Sequence, residues 1–369
     1  MTMANDGHHI ENDERFLGLN VNAGVPQPPM LNPYAKVRKR RPEYTVDGYV
    51  EEIVKGNRTV LSQAVTLIES NKPEHQEKAQ QIIEKCLPYA GKSVRLGITG
   101  VPGAGKSTFI DSLGAHVLGQ GKKLAVLAID PSSELTKGSI LGDKTRMERI
   151  SVAENAFVRP SPSAGSLGGV ARKTRETIVL CEAAGFNTIF VETVGVGQSE
   201  TAVHSMVDFF LLIQLAGTGD ELQGIKRGIM EMADGIAINK CDGNNVEKSK
   251  MARAQFQNAL HLFPEPSSGW SPKVLTCSAI EDSGITEIWN MIEEYMNFTA
   301  ANGFTETKRN HQAKYWMYES INEYLKNNFY RNKTIKSLLL MYENQILNNE
   351  ITSFVAAKKL LDTYFKLNR

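Results

Sequence analysis

The chain has 369 residues, with 42 lysines and arginines against 41 aspartates and glutamates, a net charge of +1 and 41% hydrophobic residues. Such a length accommodates a large α/β domain with helical additions, and the balanced charge gives no electrostatic case for a nucleic-acid or anionic-membrane partner. No apolar stretch approaches the roughly 18 residues of a membrane span, and "MTMANDGHHIENDERF" lacks the basic start and apolar core of a signal peptide, so a cytoplasmic location is expected. Cys86, Cys181, Cys241 and Cys277 form no C-x-x-C pair, which argues against a disulfide frame or a zinc site, and His8 and His9 have no further ligands beside them.

In chain order, residues 1–45 are polar, rich in Asn, Pro and Gly, and end in the basic "KVRKRRPE"; a flexible arm is expected. Residues 46–92 place apolar residues at three- and four-residue spacings, which predicts two or three amphipathic helices forming an N-terminal cap. Across 93–300 the runs "VRLGIT", "KLAVLAID", "TIFVETV", "FFLLIQLA", "GIAINKCD" and "KVLTCSA" alternate with helical patterns. Apolar strands separated by helices predict an α/β fold, a mostly parallel sheet with helices on both faces. Residues 301–369 read as helical with an apolar stripe, a C-terminal region whose stripe must be buried against the main domain or a second copy in a homodimer.

The stretch "GITGVPGAGKSTF" follows the first of these strands and opens a helix. Gly100, Val101, Pro102, Gly103, Ala104, Gly105, Lys106 and Ser107 match G-x-x-x-x-G-K-[ST], with Thr108 next. The glycines let backbone amides converge on an anion, the helix start adds its positive dipole end, and Lys106 adds a full charge. These residues predict a phosphate site, with Ser107 placed to ligate Mg²⁺.

The base is read further along. "NKCD", carrying Asn239, Lys240 and Asp242, follows the strand "GIAI" and fits N-K-x-D, in which one carboxylate accepts from both N1–H and the 2-amino group of guanine. Adenine offers neither donor there, so GTP or GDP is expected. Asn239 would brace the base and the loop, the stem of Lys240 would lie along the ring, and Ser278, Ala279 and Ile280 ("SAI") would complete the pocket through their backbone. For the metal, Asp130, Asp143 and Glu192 are the candidate hard-oxygen ligands, although strand-end acids also serve as helix caps. In "ETVG" the spacing lets Gly195 offer an amide to a γ-phosphate.

With "AIDPSS", "GSILGDKTRM", "SAGSLGGVARKT", "VETVGVGQSE", "GDELQGIKRGIME" and "NKCD" in this order, the chain resembles the methylmalonyl-CoA mutase-associated GTPases over roughly residues 45 to 330. These are known as MeaB in bacteria and historically as ArgK. The resemblance implies a P-loop GTPase and a homodimer that binds a cobalamin-dependent acyl-CoA mutase. It implies that the protein gates adenosylcobalamin delivery and keeps inactivated cofactor from accumulating, the cobalamin being handled on the partner. It also implies that Asp130, Asp143 and Glu192 are the magnesium-site acids and that Gln223 and Lys226 belong to a catalytic switch segment. Lys226 could offset charge on the transferred phosphoryl group, with Gln223 positioning it or the water, or Lys226 could be a solvated helix residue. The competing reading is a P-loop kinase, as the ArgK name suggests, but no acceptor pocket or base motif accompanies the phosphate loop.

Overall fold

Thr45 starts the first helix of the computed structural model, which describes residues 44–129, 147–160, 167–193, 199–217 and 227–367, by accepting the Gly48 amide on its hydroxyl (3.1 Å). Helix α1 (Val46–Val54) leads to α2 (Arg58–Glu69), capped by the Asn57 side chain, and α3 (Pro73–Cys86), whose first position is a proline. Ile53, Leu61, Val65 and Ile82 turn inward from these helices and are buried. Each such side chain contributes about 1.5–3 kcal/mol to the packing.

Seven strands follow: β1 (Val94–Gly100), β2 (Leu124–Ile129), β3 (Ala156–Pro160), β4 (Thr188–Thr193), β5 (Phe209–Leu215), β6 (Gly235–Asn239) and β7 (Lys273–Thr276). They form one sheet in the order β3-β2-β4-β1-β5-β6-β7, and every pair is parallel. Between them run α4 (Lys106–Gly119), α5 (Glu148–Ser151), α6 (Leu167–Ala183), α7 (Ser199–His204), α8 (Arg227–Met232) and α9 (Val246–Leu260); after β7 come α10 (Ile285–Ala301), α11 (Phe304–Arg331), α12 (Lys333–Leu347) and α13 (Ser353–Leu367).

Because successive strand residues point to opposite faces, the apolar runs feed two cores. Ala125, Leu127, Ile189, Val191 and Phe210 face α6, α7 and the N-terminal helices. Leu124, Val126, Phe190, Phe209 and Leu211 face α4 and α10. Both faces are therefore covered, which is why the strands read as continuous apolar runs rather than alternating ones.

The six strands expected from the sequence are joined by a seventh, β3, built from "AFVRP". Ala156 and Phe157 are buried but the last three residues only partly so, and the strand ends in a proline, which removes a ladder donor. That composition is tolerated at the sheet edge, where β3 lies. It carries too little of the apolar signal that marks the other six.

α11 is fixed to the amino ends of the strands. Arg309 donates to Asp208 through Nε (2.7 Å) and Nη2 (2.6 Å), and Trp316 Nε1 donates to the Ser205 carbonyl (3.0 Å). Beyond Trp316, Tyr318, Tyr324, Leu340, Leu347 and Phe354 are all exposed, and Ile335, Leu360 and Tyr364 form a small separate core. No described helix is long and apolar enough to cross a membrane.

Candidate functional site

β1 lies at the centre of the sheet, and the chain leaves its two sides in opposite directions, so the crevice beyond its carboxyl end is where ligands of such sheets bind. The turn from 101 to 105 sits there. At Gly100 a Cβ would approach the Ile213 carbonyl oxygen to 2.2 Å, so β1 can end beside β5 only with glycine. Gly105 has φ +82° and begins α4 without a side-chain cap, leaving the first-turn amides of that helix to the loop side. Lys106 is 9% exposed, and its Nζ donates to the carbonyls of Gly100 (2.9 Å) and Val101 (3.3 Å). Burial pushes its ammonium below the ordinary lysine value, while Glu192 and Glu200 act in the opposite direction.

Ala104 is fully buried, Pro102, Gly103 and Thr108 are exposed, and Val101 and Ser107 are half-buried. The Ser107 hydroxyl donates to Glu192 Oε1 at 3.3 Å, so the end of β4 brings a buried carboxylate to the start of α4. Thr193, next to Glu192, donates through Oγ1 to Thr99 Oγ1 on β1 (2.8 Å), which fixes the two strand ends together.

The base motif closes on the phosphate loop. Asn239 Nδ2 donates to the Ala104 carbonyl (2.8 Å), and its Oδ1 accepts the Ala279 amide (3.1 Å). A Cβ on Gly105 would meet that same Nδ2 at 2.9 Å, so the second loop glycine is required by Asn239 as well as by its own φ. Lys240 adopts φ +61° and is exposed. Ser278 Oγ donates to Asp242 Oδ2 (2.6 Å), the Cys241 amide donates to the Cys277 carbonyl (2.9 Å), and Ile280 is 78% exposed at the rim. Residues separated by more than a hundred positions thus form one continuous wall.

Among the predicted site residues, Asp130, Asp143, Gln223 and Lys226, and Gly195 with them, lie outside the described residues. The structure adds groups that the sequence did not single out. Arg149 donates through Nη1 to Asp282 Oδ2 (2.9 Å), Nη2 to Asp282 Oδ1 (3.0 Å) and Nε to Asp111 Oδ2 (3.1 Å), and Ser112 also donates to Asp282. This network ties α5 and α4 to the turn after "SAI". Glu200, 2% exposed on α7, is a second buried carboxylate acting on Lys106. Its position in "VETVGVGQSE" was the available signal. Among the described residues no group of three or more His, Cys, Asp or Glu side chains is arranged to hold a metal.

The comparisons with known proteins agree with this geometry. Residues 61–334 match the family described as methylmalonyl Co-A mutase-associated GTPase MeaB. The chain belongs to the MeaB family. "GTPase ArgK" of Escherichia coli is 46% identical over 310 residues, covering 83% of this chain and 94% of that protein. "Methylmalonic aciduria type A homolog, mitochondrial" of Mus musculus is 43% identical over 329 residues, covering 86% and 79%. A solved structure of a protein named "LAO/AO transport system kinase" aligns with TM-score 0.70 at 37% identity, over 88% of this chain and 99% of that one. This MeaB-family chain is a nucleotide-binding enzyme that hydrolyses GTP.

Proposed function

We propose that this GTPase is a chaperone for a cobalamin-dependent acyl-CoA mutase of the methylmalonyl-CoA mutase type, gating adenosylcobalamin delivery and protecting the mutase from inactivated cofactor. The observation that carries the reading is the family match across residues 61–334, which spans both "VETVGVGQSE" and "GDELQGIK". The family description names the mutase, and the mouse relative is named for methylmalonic aciduria.

In this reading the residues 100–108 hold the phosphates, with Lys106 neutralising them. Asp242 reads the guanine edge, Asn239 and Lys240 shape its pocket, and the backbone of Ser278, Ala279 and Ile280 closes it. The converging hydroxyl of Ser107 and carboxylate of Glu192 supply the hard oxygens that suit Mg²⁺, and Asp130 and Asp143 are proposed to complete the set. When bound, Mg²⁺ neutralises charge shared by the β- and γ-phosphates. Glu192 orients the metal-side oxygens, Gln223 positions the water or Lys226, and Lys226 offsets the charge that develops on the transferred phosphoryl group. The exposed apolar residues of α11 to α13 support a homodimer.

The test is GTP turnover with and without a purified cobalamin-dependent acyl-CoA mutase. The mutase is expected to accelerate hydrolysis, and Lys226→Ala should leave intrinsic turnover nearly unchanged while removing most of the stimulation, on the order of 2–4 kcal/mol. If no such mutase stimulates the wild type, the chaperone reading fails. The kinase reading draws on the name of the structural relative at 37% identity. It predicts transfer of the γ-phosphate to an acceptor, whereas the chaperone reading predicts release of inorganic phosphate alone.

A further inference from the structure

A polar cleft of about 470 Å³ lies between α6 and α11, bounded also by the turn that joins α2 to α3. Its volume falls within the range of small-molecule sites, about 300–1,000 Å³. Three cations line it: Arg172 and Lys173 from the early turns of α6, and Arg331 from the last turn of α11; among the described residues the one lining carboxylate is Glu323. Asn71 and Asn327 add amide side chains from separate walls.

The lining carries more positive than negative charge. Arg172 Nε is buried without a hydrogen bond, although the guanidinium is ion-paired at longer range with Glu323 (3.7 Å) and Glu176 (4.0 Å). The Arg331 guanidinium has no ion-pair or hydrogen-bond partner among the described residues. Lys173 donates to the Glu69 carbonyl (2.9 Å) and Asn71 Oδ1 (3.2 Å), neither of them an anion, and burial together with the neighbouring Arg172 charge pushes its ammonium below the usual lysine value. A buried guanidinium N–H left without a hydrogen bond is costly, and a group that satisfies it while using the partly exposed remainder of the fork is an oxyanion offering two or more oxygens.

We propose that this cleft is a binding site, separate from the nucleotide crevice, for a small polyvalent oxyanion carrying phosphate or carboxylate groups. Arg172 and Arg331 hold it from opposite walls, with Lys173 and the amides of Asn71 and Asn327 around it. Because the walls come from the α2–α3 turn, from α6 and from the end of α11, a bound anion joins the α/β body to the helix that leads into α12. The site does not depend on the chaperone reading.

The experiment uses the full chain saturated with GDP and Mg²⁺ at fixed free Mg²⁺, so that the phosphate loop is already filled. Inorganic pyrophosphate and tricarballylate are titrated separately by calorimetry at constant ionic strength, one probe for phosphate and one for carboxylate chemistry. Saturable one-to-one binding of at least one probe is expected, weakened about tenfold or more by Arg172→Gln and by Arg331→Gln, with GDP affinity unchanged. The probe that binds identifies the chemical source. Absence of saturable binding by both, or binding indifferent to both substitutions, overturns the proposal. GDP affinity reports folding of each variant, and should Arg172→Gln not fold, the exposed Arg331 decides the matter alone.

Discussion

Asn239 Nδ2 donates to the carbonyl oxygen of Ala104 across 2.8 Å, joining the end of β6 to the phosphate loop. The other end of the same amide accepts from Ala279, so one buried side chain holds three loops in register. Asn239→Ala removes both bonds and leaves a buried carbonyl and amide unsatisfied, at about 1–3 kcal/mol each. GTP and GDP affinities are expected to fall together by about 10- to 100-fold, measured by titration with a fluorescent guanine nucleotide. Unchanged affinity would remove Asn239 from the site.

Asp242 accepts from Ser278 at 2.6 Å, which fixes its carboxylate at the wall of the crevice. Asp242→Asn should weaken GTP binding by about 2–3 kcal/mol and partly restore binding of xanthosine triphosphate, whose edge offers an acceptor where guanine offers a donor. Competition titrations with GTP, ATP and xanthosine triphosphate read this out. A wild type that binds ATP as tightly as GTP would be incompatible with guanine recognition by Asp242.

Lys106 and Glu192 should separate binding from catalysis. Lys106→Ala is expected to lose nucleotide affinity at any Mg²⁺ concentration. Glu192→Gln should keep most GDP affinity while losing Mg²⁺-dependent turnover, because a group acting at the metal and γ-phosphate stabilises the transition state more than the bound ground state. Equal losses of GDP affinity in the two variants would count against this division.

The helices beyond Trp316 expose Tyr324 (69%), Leu347 (78%) and Phe354 (86%). A homodimer at micromolar concentration is expected, visible as a doubled mass in light scattering. Leu347→Lys combined with Phe354→Lys should shift the mass toward the monomer without changing intrinsic GTP turnover. A monomeric wild type would refute the assembly.

His204, at the end of α7, is pushed down from 6.5 to about 4, first by burial and then by the nearby Lys308 charge. The folded state therefore holds it neutral while the unfolded chain protonates it, so stability is lost as pH falls from about 6.5 through 4. The contribution is on the order of 3 kcal/mol at most. His204→Gln should flatten the dependence of the urea midpoint on pH between 7 and 4.5. An unaltered slope would show that other groups carry the acid sensitivity.

What the sequence disclosed was contiguous. The phosphate loop, "NKCD" and six apolar strands were legible because each signal is contained in a dozen residues and fixed by local backbone demands. β3 was not, because an edge strand of five residues that buries only Ala156 and Phe157 and ends in Pro160 is too short to show a pattern. Nor was the Arg149–Asp111–Asp282 network, whose members are 38 and 133 positions apart. A lone surface-type arginine in sequence becomes a connector only when folding brings its partners to it. Glu200 was unremarked for the same reason: its burial beside Lys106 depends on α7 packing behind β1.

The central place of β1 also orders events during synthesis. Its neighbours β4 and β5 begin 94 and 115 residues later, and the Asn239 side chain finds its second partner only at Ala279. A nascent chain that has emerged only through the phosphate loop has the anion-binding turn but neither flanking strand nor base wall. Guanine nucleotide cannot then guide early collapse; it can stabilise only a chain whose α/β half is nearly complete. Nucleotide capture is therefore a late event in the life of each molecule, and chains truncated before residue 279 lack the amide that holds Asn239 in place.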